Sequence, residues 1–319
     1  MAARCDREYA IAINSCTQGL IFAMWSNPET RVLIPAVSFA ATVNSVLQAG
    51  HEPVFCDVDA RALMDLESLD DNLAGTGVGT IMYANLFGNV IDWDRFRIQT
   101  EFFSENMFVI EDAAQSFGAS YHGVPSGKLG DVSVLSFDPT KNLPNYGSGG
   151  MMLTDDFDLA CMFLDLRNNG KTSKHRWPGT NSKMSESDCA QMLVKLQYFD
   201  AWQQRRTEIA AYYDSELTDY VQVLRPNAGV THAWHKFVIR TDHRDTLSLF
   251  LSHAGIETKI HYANTLTELP VSYIYSQSLQ HIREANGFAQ ECLSLPMYPE
   301  LTDAEVEVVV DAVRDYFES

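Results

Sequence analysis

Residues 136–150 read "SFDPTKNLPNYGSGG" and hold one lysine, Lys141, between the end of an apolar run and a glycine-rich turn. Upstream, "VIEDAAQSFGA" (109–119) closes a second apolar run with two acids, Glu111 and Asp112. Both runs read as buried strands, which puts Lys141 and Asp112 at strand carboxyl ends. Working outward, "RVLIPAV" (31–37), "EPVFCDV" (52–58) and "GTIMYANL" (79–86) read as further strands of the same kind, which with "MFVIEDA" (107–113) and "VSVLSF" (132–137) makes five. "SFAATVNSVLQAG" (38–50) and "IDWDRFRIQTEFF" (91–103) read as helices between them. Strand–helix alternation predicts an α/β fold with a mostly parallel central sheet and helices on both faces.

Near residue 186 the pattern changes. Residues 185–217 read as one long helix. "HAWHKFVIRT" (232–241) and "IETKIHY" (256–262) read as strands, with helices over 244–255 and 303–317. The expected division is a large domain over 1–200 and a smaller α+β domain over 201–319.

The chain has 319 residues, 46 % hydrophobic and 20 % charged, an ordinary globular profile. No apolar run approaches the roughly 20 residues that span a bilayer. The first ten residues lack the apolar core of a signal peptide. Cysteines at 5, 16, 56, 161, 189 and 292 form no C-x-x-C pair and read as reduced thiols of a cytoplasmic protein. The net charge of −19 argues against a nucleic-acid binder. It leaves room for a small anionic ligand at a local cluster such as "RNNGKTSKHR" (167–176), which by itself reads as a solvated loop.

Some motifs fall short. "GTGVGT" (75–80) lacks G-x-G-x-x-G spacing and precedes a strand. "NGKTS" (169–173) has Asp165 where a phosphate loop needs its first glycine. "HAWH" (232–235), read as strand, turns its two histidines to opposite faces, so no metal is expected there.

A lone loop lysine usually reads as a solvated charge, but ligands gather at strand carboxyl ends in doubly wound sheets. A lysine amine and an acid at two such ends suit pyridoxal phosphate. The amine forms a Schiff base with the cofactor aldehyde, and the acid holds the protonated pyridine nitrogen. The phosphate needs hydroxyls and amides at a helix start, and "NSCTQGLIFAMW" (14–25) offers Ser15 and Thr17.

With these residues in hand, the chain resembles the DegT/StrS-type nucleotide-sugar aminotransferases, which have the type I pyridoxal phosphate fold. "INSCTQGL" (13–20) is similar to their phosphate loop. Residues 33–59 are similar to their second strand–helix–strand unit. "VIEDAAQSFGASYHG" (109–123) and "GDVSVLSFDPTKNLPNYGSGG" (130–150) resemble their acid motif and lysine loop. Residues 178–206 resemble their segment that crosses the dimer, and 255–262 and 292–313 resemble their C-terminal domain.

The resemblance implies roles. Lys141 would bind the cofactor covalently and then carry the substrate Cα proton. Asp112 would pair with the pyridine nitrogen, Gln115 would contact the 3-hydroxyl side, and Phe39 would stack on the ring. Ser136, the Cys16 amide and Thr17 would bind the phosphate, and Asn181 would reach it from a second subunit. The implied reaction moves an amine from an amino acid, glutamate in the family, to a nucleotide-linked keto-sugar. Lys183, Lys174 and Arg176, beside Asn181, would contact the substrate's diphosphate or nucleotide. Alternatives within the resemblance are a sugar dehydratase, whose members carry histidine in place of the lysine, and a non-catalytic regulatory relative. The Lys141–Asp112–Gln115 set argues against both.

Four features depart from the family pattern. Cys16 replaces a glycine. Ser148 stands where an acid is usual. Lys183 stands for an arginine, which keeps charge but loses the planar fork. Only 14 residues precede Ser15, where relatives carry a longer segment.

Overall fold

The computed structural model describes residues 1–276 and 282–319. Its main sheet has seven strands: β1 (Tyr9–Ile13), β2 (Arg31–Pro35), β3 (Glu52–Cys56), β4 (Thr80–Ala84), β5 (Phe108–Asp112), β6 (Val132–Ser136) and β7 (Gly150–Thr154). Their order is β1-β7-β6-β5-β4-β2-β3. β2 to β6 run parallel, and β7 alone opposes its neighbours. The five strands expected from the sequence all form. β1 and β7 are additional.

The inner strands are covered on both faces, which is why they read as unbroken apolar runs. One face packs helices Cys16–Trp25, Ala41–Gln48 and Phe157–Leu166 through Leu20, Phe22, Val43, Val46 and Phe163. The other packs helix Trp93–Phe103 through Phe96, against Tyr83 and Ile81. Helix Cys16–Trp25 lies close on the sheet because residue 19 is glycine. A Cβ there would sit 2.5 Å from Ile13 Cδ1 and 2.6 Å from Val134 Cγ1.

The strand order reverses around β2, since the chain crosses from β3 over β2 to β4. Such a switch opens a crevice at the strand carboxyl ends. Ser38 and Phe39 after β2, Ala84 and Asn85 at the end of β4, Asp112 of β5 and Ser136 of β6 all face it.

A second sheet holds β8 (Gln222–Val223), β9 (Phe237–Arg240) and β10 (Cys292–Leu295), antiparallel in that order. Helices Phe199–Leu217, Arg244–His253 and Asp303–Glu318 bury Tyr213, Leu247, Leu251, Val306 and Val310 against it.

Three sequence expectations are corrected. The helix expected over 185–217 is two helices, Glu186–Lys195 and Phe199–Leu217. At the break the amide bonds tighten to i−3, Gln197 to Val194 and Tyr198 to Lys195. The turn buries Phe199 against Phe117, ring centroids 4.7 Å apart.

Residues 232–235 are not strand. Trp234 has φ 45°, and the Ala233 and Lys236 amides donate to Gly88 and Phe87. The opposite-face reasoning for "HAWH" therefore falls away, and both histidines are buried. Among the described residues no group of three or more histidine, cysteine or acidic side chains could hold a metal. Residues 256–262 keep one bridge, Lys259 to Ser294, because the chain leaves the sheet to wall the crevice.

All six cysteines are free. Among the described residues, no helix is long and apolar enough to cross a membrane.

Candidate active site

The crevice is a cavity of about 420 Å³. Asp112, last residue of β5, turns into it while Glu111 turns to the other face. There Glu111 accepts from Asn85 Nδ2, Ser126 Oγ, Ser133 Oγ and the amides of Gly127 and Leu129. Burial pushes Glu111 up, against the pull of these donors and of Arg7. It is a structural acid, tying β5 to the 126–133 turn.

Asp112 Oδ1 accepts from the Ala114 amide at 3.1 Å, and Oδ2 from Thr42 Oγ1 at 3.3 Å. Thr42 is in turn paired with Ser38 at 2.7 Å. Burial raises the Asp112 carboxyl above its ordinary range, opposed by the Ala114 amide, the Lys141 charge, Thr42 and Cys16. A cationic partner in the cavity would favour the ionised form.

Cys16 turns its side chain toward Asp112. Its Sγ is 3.9 Å from Asp112 Oδ1 and 3.8 Å from the Val134 carbonyl. Burial, and next the Asp112 charge, hold the thiol well above its ordinary value, so it stays protonated. Ser15 caps the helix by accepting from Gln18 N at 3.2 Å. The amides of Cys16 and Thr17 have no partner among the described residues. Residue 150 packs against this turn, where a Cβ would come 2.8 Å from Cys16 N. Only glycine fits that approach.

The lysine loop is held at both ends. Asp138 accepts from the Thr140 amide and hydroxyl, and Lys141 N donates to the Asp138 carbonyl. Burial pushes the Asp138 carboxyl up, but Thr140 and the Lys141 charge outweigh it and keep the group below its ordinary value. Asn142 Nδ2 donates to the Ala233 carbonyl at 2.6 Å, so its Oδ1 accepts from His235 Nδ1 at 3.1 Å. That fixes the proton of His235 on Nδ1. Burial, then Lys141 and Lys236, keep this imidazole neutral. Lys141 Nζ has no hydrogen bond or ion pair among the described residues and lines the cavity.

Gln115 Oε1 accepts from the Phe87 amide, and Nε2 donates to Tyr262 OH, both at 2.9 Å. Phe39, 56 % exposed, presents its ring to the cavity 6.1 Å from the Tyr262 ring. Ser136 Oγ accepts from the Asp138 amide at 3.3 Å.

The structure therefore brings Cys16, Thr17, Phe39, Asp112, Gln115, Ser136 and Lys141 to one cavity. Within one chain it does not bring Asn181, Lys183, Lys174 or Arg176 there. Asn181 is exposed and bridges Asn168, Arg176 lies 5.1 Å from the Trp177 ring, and Lys174 and Lys183 are exposed. Ser148 is exposed and lines the cavity. Sequence reasoning missed Tyr262, Lys236, Lys259 and His261, which also line it. The clustering of cations and rings in "HAWHK" and "TKIHY" was the available signal.

A free lysine amine, a buried carboxylate and unpartnered helix-start amides around one cavity define an enzyme site for a small phosphorylated group. Residues 1–314 match the DegT/DnrJ/EryC1/StrS aminotransferase family, and the chain belongs to that family. It is 34 % identical, over 91 % of its length and 79 % of the relative's, to a pleiotropic regulatory protein of Geobacillus stearothermophilus. It is 31 % identical, over 99 % of its length and 85 % of the relative's, to dTDP-3-amino-3,4,6-trideoxy-alpha-D-glucose transaminase of Streptomyces venezuelae. A crystal structure of a DegT/DnrJ/EryC1/StrS aminotransferase from Brucella abortus superposes with a TM-score of 0.94 at 31 % identity, covering 100 % of this chain and 88 % of that one.

Proposed function

We propose that the chain is a pyridoxal phosphate-dependent aminotransferase that moves the amine of an acidic amino acid, glutamate, to a nucleotide-linked keto-sugar. The observation that carries the reading is the pairing of Lys141 and Asp112 across one cavity beside the open amides of Cys16 and Thr17. The cavity residues fit the cofactor: an amine for its aldehyde, a carboxylate for its pyridine nitrogen, Phe39 for a ring face, and Ser136, Thr17 and two amides for its phosphate. When bound, pyridoxal phosphate supplies an aldehyde that captures amines and a protonated ring that draws electrons from the neighbouring carbon.

The chain's residues do the rest. Asp112 holds the ring-nitrogen proton, and its hydrogen bonds from Ala114 and Thr42 keep it aimed. Lys141 Nζ takes the proton from the substrate carbon and returns it, with no competing partner among the described residues to hold it back. His235, neutral and fixed through Asn142, adds no second cation beside that amine. Phe39 and Tyr262 wall the cavity against water.

The intact lysine favours amine transfer over dehydration. The regulatory name of one relative favours a non-catalytic reading, and the complete set of Lys141, Asp112 and Gln115 in one cavity weighs against it.

Two copies of the chain share the sites in this reading, with Asn181 and Lys183 of each serving the other's cavity and Lys174 and Arg176 near the substrate's anionic end. Exposed Tyr146, Leu193, Val194 and Tyr198 support such pairing, since they form apolar surface near that segment. The division into 1–200 and 201–319 is supported by a separate core built from Ile209 onward. Six free cysteines support a reducing, cytoplasmic setting.

The test is an assay of purified protein with glutamate and a panel of nucleotide keto-sugars, read by product mass. An amino-sugar product is expected. No product from any member, in protein that carries the cofactor on Lys141, overturns the substrate class.

A further inference from the structure

Residues 181–184 alternate in exposure. Asn181 and Lys183 are exposed, while Ser182 and Met184 are buried. Met184 packs with Leu135 and Phe137 in the core of its own chain. In extended chain alternate side chains take opposite sides, so Asn181 and Lys183 point together away from that core.

This arm is laid on the end of helix Phe157–Leu166. The Thr180 amide donates to the Leu166 carbonyl at 2.7 Å and the Ser182 amide to the Arg167 carbonyl at 3.0 Å, which satisfies carbonyls that a helix end leaves open. The approach is close: a Cβ on residue 179 would sit 2.4 Å from the Leu166 carbonyl oxygen. The Ser182 carbonyl accepts from the Asn14 amide at 2.8 Å.

Arg167 reaches the same stretch with its side chain. Its Nη1 donates to the Ala12 carbonyl at 2.6 Å. β1 is an edge strand, paired only with β7, and such an edge presents unpaired amides and carbonyls. Arg167 and the arm take two of these groups, Ala12 O and Asn14 N. The guanidinium is half-buried, makes no ion pair among the described residues, and has burial working against its charge. Desolvating a guanidinium for one neutral carbonyl brings little net stability, so its worth lies in what it holds.

Ser15, Cys16 and Thr17 follow Asn14 directly. The same edge therefore begins one cavity's phosphate turn and carries the arm. The turn has support of its own, in the ladder from Tyr9 to Ile13, the Ser15 cap on Gln18 and the packing of residue 150. Asn181 depends on the bonds of its neighbours Thr180 and Ser182. We infer that Arg167 is a positioning residue: it joins the β1 edge through its side chain to the arm through its main chain, sets Asn181 for the neighbouring subunit's cavity, and acts on that cavity more than on its own. The inference rests on the shared-site reading above and deepens it.

The test has two parts. In cofactor-free protein, hydrogen exchange over residues 179–184 should be about tenfold or more faster in Arg167→Met than in the parent, as for a lost hydrogen bond to a charged group. Arg167→Lys should restore most of the protection. Unchanged exchange in Arg167→Met overturns the inference.

The second part uses purified hybrid dimers of Lys141→Ala and Asn181→Ala chains, in which one cavity keeps both residues. Only that cavity can show the absorbance of cofactor held by Lys141. Arg167→Met in the Lys141→Ala chain, which supplies Asn181, should weaken cofactor binding there by about tenfold. Arg167→Met in the Asn181→Ala chain, which supplies Lys141, should leave binding nearly unchanged. Gly179→Ala, which pushes the arm off Leu166, should follow the same pattern with Arg167 intact. Equal losses from both placements make Arg167 a structural residue and overturn the inference. A loss from neither placement, or only from the second, also overturns it, and an active unmodified hybrid then leaves the shared-site reading standing. An unmodified hybrid that is inactive although demonstrably mixed brings down that reading and the inference together. Circular dichroism and subunit mass separate loss of position from loss of fold or pairing.

Discussion

Gln115 Nε2 donates to the hydroxyl of Tyr262 at 2.9 Å, joining the end of β5 to a residue 147 positions further along the chain. The same amide accepts from Phe87 N through Oε1, so both ends of the side chain are engaged and it cannot swing. Tyr262→Phe leaves a buried donor without its acceptor and should cost about 1–3 kcal/mol. Urea denaturation of the cofactor-free protein measures this. An unchanged midpoint would show that Gln115 finds another partner.

Lys141→Ala should abolish turnover and the covalent retention of cofactor. In the parent protein, borohydride should fix the cofactor on Lys141 and on no other lysine, as peptide mapping reads out. Asp112→Asn should keep the fold and lose most of the rate, because the ring nitrogen loses its charged partner. A fully active Asp112→Asn enzyme would remove Asp112 from the chemistry.

Mixing inactive Lys141→Ala chains with inactive Asn181→Ala chains should restore part of the activity. Each hybrid dimer then holds one site with both residues intact. Demonstrably mixed dimers that stay inactive would place Asn181 in its own chain's site or outside it.

Glu111 is buried with donors from Asn85, Ser126, Gly127, Leu129 and Ser133 around it. Glu111→Ala strands those donors and should cost about 3–5 kcal/mol, as for breaking a buried charged network. Chemical denaturation checks the figure. A loss near zero would mean the 126–133 turn rearranges freely.

Lys236 is lowered to about 8, by burial first and then by Arg206, Lys141 and Lys259, with Asp138 opposing. His235 and His261 face the same region and are held neutral at that pH by burial and these lysines. A group lowered in this way is charged below about 8 and loses its charge as pH rises through it. Binding of an anion at Lys236 should therefore weaken as pH rises through about 8, and bound anion should push the midpoint upward. Calorimetry with thymidine diphosphate across pH 6.5–9.5 measures it. A flat profile would show that Lys236 does not meet the anion.

The five parallel strands β2 to β6 and the positions of Asp112 and Lys141 were legible because burial on both faces leaves unbroken apolar runs with a polar residue at the end. The reading failed where an apolar pattern serves a cavity wall instead of a ladder. "HAWH" and "IETKIHY" have strand-like composition, yet Ala233 and Lys236 spend their amides on Gly88 and Phe87 and only Lys259 bridges to β10. The break before Phe199 was hidden for a related reason. It is set by packing on Phe117, 82 positions away, and not by a local breaker. The direction of the Cys16 side chain was equally out of reach, because it depends on Asp112 and Val134 meeting beneath the first helix.

The main sheet pairs Ala84 with Asp112, Asp112 with Val134, and Ser136 with Gly150. Neighbouring strands stand about 4.8 Å apart. The spacing between Asp112 and Ser136 is thus inherited from backbone ladders that no side-chain exchange disturbs. Lys236, Lys259, His261 and Tyr262, by contrast, come from irregular chain after residue 232. Drift in that later chain can retune which molecule enters while the bond-making geometry stays put. A lineage built on this scaffold can diversify its substrates and keep one reaction.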